Sequence, residues 1–452
     1  MHAHVYRTVF SDPSLRLRDE GEFVFGERDP ETKEAHVVNV YPEIRMQEIT
    51  GIGGAATESA SYCWAHLNEK AREDFIRDYF DPEEGIGYSF LRIHIGAADF
   101  SLSPYHNVEE GDFELKSFSL ERDRQYVIPF LKEVQKRYAF TLMASPWTPP
   151  PFMKDNGSYV GGRLLPEYYD AWARCLARFA EEYRKEGLAI DRITLQNEPW
   201  HAKTWESCGF THEEEHAFAL AAAKYLKPLG VKIYFWDHNR QDILRAAGVM
   251  FRDEAGRGAA DGIAYHLYTG ENFEEIRLFR RLYPDKDIFF SEGCAFDEET
   301  GIKVKNVVPF AEKYARELIR NLNSGASGFV DWNLALDERC GPSNLREGRK
   351  RQCDAPIRTL SDGTYLKTLS YYAIGHFSRF IRPGAFCIGQ SSYHEDLLTA
   401  AFLNPDGKIA AILFNRGEKP LPVQLILEGK ALYFDMEPKS LRTLVIREGE
   451  KC

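Results

Sequence analysis

Two glutamates in this 452-residue chain are placed where they could do chemistry together. Glu198 lies in Gln196-Asn197-Glu198-Pro199-Trp200, and Glu292 in Phe290-Ser291-Glu292-Gly293. Each follows a short apolar run of strand-forming residues, Arg192–Gln196 (RITLQ) and Asp287–Ser291 (DIFFS). A carboxyl pair facing one acetal carbon can hydrolyse a glycoside. One carboxyl protonates the departing oxygen, and the other attacks the anomeric carbon or activates water. Either glutamate alone would be weak evidence, because a buried carboxylate at a strand end can simply anchor a loop through backbone hydrogen bonds. Their value as a pair depends on whether the fold brings residues 94 positions apart to one place.

The elements that must position them alternate in type. Eight runs read as strands: Gln47–Gly53, Ser89–Ile95, Phe140–Ser145, Arg192–Gln196, Lys232–Trp236, Gly262–His266, Asp287–Ser291 and Gly328–Trp332. Stretches of helical periodicity separate them. Pro166–Lys185 sets Tyr169, Trp172, Leu176 and Phe179 on one face, and Thr211–Leu229 opens with a Thr three residues before Glu214, the signature of a capping box. Eight strand–helix units predict an α/β fold, a (β/α)8 TIM barrel over residues 47–380. The two ends read as short β runs. Among them are His36–Val40, then Leu397–Leu403 and Lys408–Phe414 around an Asn-Pro-Asp-Gly turn. They predict that residues 1–46 and 381–452 join in one antiparallel β-sandwich on the barrel's side.

Barrel chemistry sits at the C-terminal ends of the strands. Here those ends carry Asp99, Ser145-Pro146-Trp147-Thr148, Asn197-Glu198, Asp237-His238-Asn239, His266-Leu267-Tyr268, Ser291-Glu292 and Asp331-Trp332-Asn333. So many polar strand ends make chance placement of the two glutamates a poor explanation. Individual residues keep structural alternatives: Trp147 and Trp332 as core, Asp99 as a helix cap, Arg92 as an ion-pair partner. Asp237 and His238 read as supporting residues. Trp200, His201 and Trp205 are candidates for a leaving-group subsite.

Composition narrows the ligand class. The net charge of −12, from 57 basic and 69 acidic residues, repels phosphate backbones and argues against nucleic acid. The basic stretch Arg346–Arg351 is short and reads as a solvated loop. Aromatics at 13% suit stacking on sugar rings, as they would suit a large aromatic core. No apolar run follows the basic start and none is long enough to span a bilayer, so no membrane insertion and a cytoplasmic location are expected. The eight cysteines form no CxxC pair, and His238 and His266 lack a matching HxH pair, so neither a metal nor an organic cofactor is expected. Cys340 and Cys353 flank one loop and could meet.

The motifs together resemble glycoside hydrolase family 30, the retaining β-glycosidase family that includes glucosylceramidase. The matching stretches are Gly51-Ile52-Gly53-Gly54-Ala55-Ala56-Thr57-Glu58, Glu84-Gly85-Ile86-Gly87-Tyr88, Asp99-Phe100-Ser101, Ala144-Ser145-Pro146-Trp147-Thr148, Gln196-Asn197-Glu198-Pro199, Phe290-Ser291-Glu292, Asp331-Trp332-Asn333-Leu334-Ala335-Leu336 and Gly375-His376-Phe377-Ser378. They occur in the family's order over nearly the whole chain. The resemblance implies Glu198 as acid/base and Glu292 as nucleophile. It implies Asn197 on the sugar 2-hydroxyl, Asp99 and Trp147 on the far hydroxyls, and Trp332 as a wall of the −1 subsite. It also implies Arg92 and Tyr268 beside the nucleophile, with His266 orienting its neighbours. The implied substrate is a β-glycoside or oligosaccharide. An exo-acting β-glucosidase or glucosylceramidase-like enzyme leads, with β-xylosidase, β-fucosidase, β-1,6-glucanase or a non-catalytic carbohydrate-binding barrel as alternatives. One departure stands out: where glucosylceramidase relatives have Gly-Gly-Pro-Asn, this chain has Cys340-Gly341-Pro342-Ser343-Asn344, with the Asn displaced by one.

Overall fold

A computed structural model describes residues 1–200, 204–297, 307–344 and 352–447. His201 and Arg346–Arg351 fall outside these residues. Eight parallel strands close into a barrel in chain order: β1 (Gly51–Ala55), β2 (Phe90–Ile95), β3 (Thr141–Pro146), β4 (Arg192–Thr194), β5 (Lys232–Asn239), β6 (Gly262–His266), β7 (Asp287–Glu292) and β8 (Gly328–Asp331). All eight expected strands are present, with ends shifted by a few residues. The largest shift is at the first. Residues 47–49 instead complete a long strand of the side sheet, where Ile49 pairs with Ala385. Gly53 then enters the barrel at a spot only glycine fits: a Cβ there would lie 1.6 Å from the Phe90 carbonyl oxygen.

The strands read as near-continuous apolar runs because both faces are covered. Their outer faces pack on helices. One of these is Tyr169–Lys185, which buries Trp172, Leu176, Phe179 and Tyr183 after a 3-10 turn over Pro166–Tyr168. Another is His212–Leu226, where Thr211 and Glu214 complete the capping box. The barrel interior is filled by Phe90, Met143, Tyr234, Phe289 and Val330, so it is a packed core that opens only at one end.

The chain termini meet in a ten-stranded sheet with its own core, including Val38, Ile388, Leu413, Leu425 and Leu444. Its pairings are antiparallel except one: Leu421–Leu427 runs parallel to Val37–Ile49. The expected turn at Asn404–Gly407 joins two of its strands. His376, on the helix Leu369–Ser378, bridges Thr443 and Thr8 at 2.8 Å each and locks that sheet to the barrel.

Candidate active site

The site grows upward from a buried arginine. Arg92 on β2 is completely buried, and a guanidinium cannot shed its charge, so partners must surround it. Its Nη1 donates to Glu292 Oε2 at 2.6 Å. Nη2 donates to Asn197 Oδ1 at 2.9 Å and to Asp237 Oδ2 at 2.8 Å, and Nε to Ser145 Oγ at 3.0 Å. Trp147 and Trp332, stacked with ring centroids 5.1 Å apart, lie against the same cation at 4.9 and 5.5 Å. Strands β2, β3, β4, β5 and β7 are thus tied to one side chain.

Asp237 is the second hub. Besides Arg92 it accepts from Thr194 Oγ1 at 2.7 Å, Ser291 Oγ at 2.5 Å and His266 Nε2 at 3.0 Å. Burial alone would raise its pKa. The Arg92 charge and the His266 and Ser291 hydrogen bonds outweigh that and hold the carboxyl well below the usual range, so it stays ionised.

His266 joins this base to both glutamates. Its Nδ1 is 3.3 Å from Glu198 Oε1 and 3.8 Å from Glu292 Oε1. Two oxygens sharing one nitrogen at these distances are separated by no more than about 7 Å. That bound on one oxygen of each carboxyl admits the separation of about 5–5.5 Å found in retaining glycosidases. Desolvation would depress the imidazole. The Glu292 charge and the hydrogen bonds to Asp237 and Glu198 overcome it and raise the pKa to about 9, so His266 carries a proton near neutrality. Tyr268 donates from its hydroxyl to Glu292 Oε1 at 3.0 Å. Burial first, and the anions around it second, hold that phenol protonated.

Local backbone irregularities aim these groups inward. The β5–β6 register slips where Trp236 and His238 pair with Ala264 and Tyr265, leaving Asp237 unpaired. The β6–β7 register slips likewise at Ser291. Such bulges re-aim side chains beside active sites. Glu198, Trp236, Asp237 and Asn333 all have left-handed backbone, with φ of 47, 71, 40 and 39°. Each costs on the order of 1–3 kcal/mol for a non-glycine residue, strain that the surrounding hydrogen bonds must sustain. Glu198 itself lies four residues past the end of β4, held by its backbone N–H on the Asp237 carbonyl at 2.9 Å.

The sequence-predicted residues therefore divide. Arg92, Asn197, Glu198, Asp237, His266, Tyr268, Glu292, Trp147 and Trp332 are brought into one cluster. Asp99 lies at its edge, its carboxyl pushed well above the ordinary range by burial and by Glu292, Glu198 and Glu206. His238 Nδ1 is 3.6 Å from Glu198. Trp205 packs against the apolar cluster that includes Trp147 and Trp332, whereas Trp200 is 42% exposed and lies tilted against His212 and edge-on to Trp236. Cys340 and Cys353 form no disulfide with each other. Ser145 and Ser291 stand among the polar strand ends in the sequence without a role of their own, and Thr194 goes unnoticed; these are the hydroxyls that hold Arg92 and Asp237. A polar residue inside an otherwise apolar buried strand is the signal that could have found them.

One group of possible metal ligands occurs among the described residues, Glu198, His238 and His266, with ligand atoms within 4.8 Å of one another. It fits a metal poorly. Both His266 nitrogens face carboxylates as donors, whereas a metal needs the neutral imidazole.

Comparison with known proteins decides the family. The model of the glycosyl hydrolase family 30 TIM-barrel domain matches residues 49–381, and that of the family's beta sandwich domain matches residues 384–444. The chain belongs to glycosyl hydrolase family 30. It is a glycosidase built as a TIM barrel with a β-sandwich domain. The lysosomal acid glucosylceramidase of Mus musculus is 29% identical over 412 residues, 86% of this chain and 79% of that protein. SrfJ from Salmonella typhimurium superposes with a TM-score of 0.93 at 32% identity, over 99% of this chain and 100% of that one. The endo-beta1,6-glucanase BT3312 superposes with a TM-score of 0.87 at 28% identity, over 98% and 99%. Among the described residues of this family 30 glycosidase, no helix is long and apolar enough to cross a membrane.

Proposed function

We propose that this family 30 enzyme is a retaining, exo-acting β-glucosidase in which Glu292 is the nucleophile and Glu198 the acid/base. The observation that carries the assignment is the asymmetry of the pair. Glu292 takes hydrogen bonds from a permanently charged guanidinium and a phenol, fixed donors that aim its two oxygens. Glu198 takes none from Arg92 and faces two imidazoles instead. In the first step Glu198 gives its proton to the glycosidic oxygen while a Glu292 oxygen bonds to the anomeric carbon, and the aglycone departs as an alcohol. Glu198 then takes a proton from water as the water oxygen attacks the anomeric carbon, releasing the sugar and restoring both carboxyls. Asn197, fixed by Arg92, would donate its amide N–H to the sugar 2-hydroxyl oxygen, with Trp147 and Trp332 under the ring. The named relatives include a glucosylceramidase and an endo-beta1,6-glucanase, so the aglycone is the open variable.

A panel of aryl β-glycosides (glucoside, xyloside, fucoside, galactoside), with Glu292→Gln as control and proton NMR of the first-formed anomer, tests the reading. Expected are preferential glucoside cleavage, a β-anomer product, and loss of at least about 10³-fold in Glu292→Gln. A wild-type enzyme that cleaves no aryl glycoside, or releases the α-anomer, overturns it.

A further inference from the structure

Asp99, at the edge of the catalytic cluster, has a further acidic neighbour, Glu206. Trp205 packs against the apolar cluster that includes Trp147 and Trp332. The next residue, Glu206, is 3% exposed. Its Oε1 accepts from the Asn344 amide at 2.8 Å, and its Oε2 is buried with no hydrogen-bond partner among the described residues. The same Asn344 amide donates to the Ala98 carbonyl at 3.0 Å, and its backbone N–H to the Asp99 carbonyl at 3.3 Å. Asn344 therefore clamps Glu206 against the end of β2, where Asp99 has its own buried, unpartnered oxygen, Oδ1. Lys154 holds the arrangement from behind, donating at 2.8 Å both to Ser207 O, one residue past Glu206, and to Thr148 Oγ1, one residue past Trp147.

A buried carboxyl, Glu206, and a partly buried one, Asp99, each with an idle buried oxygen, are costly unless something donates to them. Among the described residues one side-chain donor, the Asn344 amide, serves this pair, and their chain neighbours Ala98, Phe100 and Trp205 belong to or pack on the apolar cluster that holds Trp147 and Trp332. A ligand carrying several hydroxyls satisfies the idle oxygens. A pentopyranoside has nothing at C6 to donate.

We propose that Glu206, held by Asn344 and paired with Asp99, is a specificity-determining acceptor. It takes the free C4 and C6 hydroxyls of the −1 sugar and selects a hexopyranoside with a free hydroxymethyl group over a pentopyranoside. This rests on the glycosidase reading above and adds the sugar class. An internal unit of a chain linked through O6 has no proton there to donate, so the same pair favours the terminal unit. The Asn displaced by one position in the sequence thus acquires a role: it reaches Glu206.

The test pairs substrate and protein deletions. Wild type and Glu206→Gln, with Glu206→Ala as the second variant, are assayed on aryl β-glucoside, its 4-deoxy and 6-deoxy analogues, and β-xyloside. In wild type, removing a hydroxyl read by the pair lowers kcat/KM about 10- to 100-fold, the cost of leaving a buried acceptor unsatisfied. In the Glu206 variants that penalty shrinks at least fivefold for one or both deoxy sugars, and the glucoside-to-xyloside preference falls at least tenfold. Equal deoxy penalties in wild type and variants overturn the inference while leaving the glycosidase reading intact. A wild-type enzyme inert on every glycoside fails the underlying reading instead. The wild-type deoxy series needs no variant to fold, and the absence of any penalty there also overturns the proposal.

Discussion

Alkaline pH should destabilise this protein through His266. The imidazole is wholly buried against Asp237, Glu198 and Glu292, and its pKa is raised from 6.5 to about 9. In the unfolded chain it titrates near 6.5. Below that pH both states hold the proton and the contribution is fully present. Between 6.5 and 9 the folded state holds a proton that the unfolded state has lost, so stability falls as pH rises. Above 9 the contribution is gone. At 1.36 kcal/mol per pH unit, the whole window amounts to roughly 3 kcal/mol. Urea unfolding of wild type and His266→Gln at pH 6, 7.5 and 9.5 isolates this residue from every other titration. The wild-type advantage should shrink by about 2–3 kcal/mol across the series. An advantage that stays constant with pH would show that the folded imidazole carries no extra proton.

Other perturbations follow from the same geometry. Tyr268→Phe removes one hydrogen bond to Glu292 without opening a cavity, so kcat should fall about 10- to 100-fold while the melting temperature moves little. Full activity in that variant would remove the phenol from the nucleophile's support. Arg92→Lys keeps the charge but cannot reach Glu292, Asn197, Asp237 and Ser145 together. Loss of at least about 10³-fold in kcat/KM is expected, with destabilisation of about 3–5 kcal/mol by calorimetry, and near-normal kinetics would contradict the hub role. Chelation with EDTA should leave turnover unchanged. Loss of activity restored by zinc would instead make Glu198, His238 and His266 a metal centre.

The barrel was legible because each strand is a short apolar run and each helix has its own periodicity, with Thr211 and Glu214 even marking a helix start. The two glutamates were legible because strand ends in such a barrel converge. What lies between them was not. Asp237 faces inward through a bulge at Trp236 and Asp237, and no local pattern announces a left-handed tryptophan. Ser145, Thr194 and Ser291 look like ordinary strand residues until Arg92 and Asp237 are seen to need donors and acceptors. Glu206 and Asn344 lie on loops 138 residues apart, and only tertiary packing makes them neighbours. The side sheet's parallel pairing of Leu421–Leu427 with Val37–Ile49 is likewise a long-range choice that turn signals do not encode.

The central claim is that Glu292 becomes covalently glycosylated. Incubation with a 2-deoxy-2-fluoro-β-glucosyl fluoride slows both steps and lets the ester accumulate, and mass spectrometry of the digested enzyme locates it. The account predicts one fluoroglucosyl unit on the peptide containing Glu292, with activity lost in proportion to labelling. A label on Glu198, or steady hydrolysis of glucosides with inverted product and no label anywhere, would contradict it.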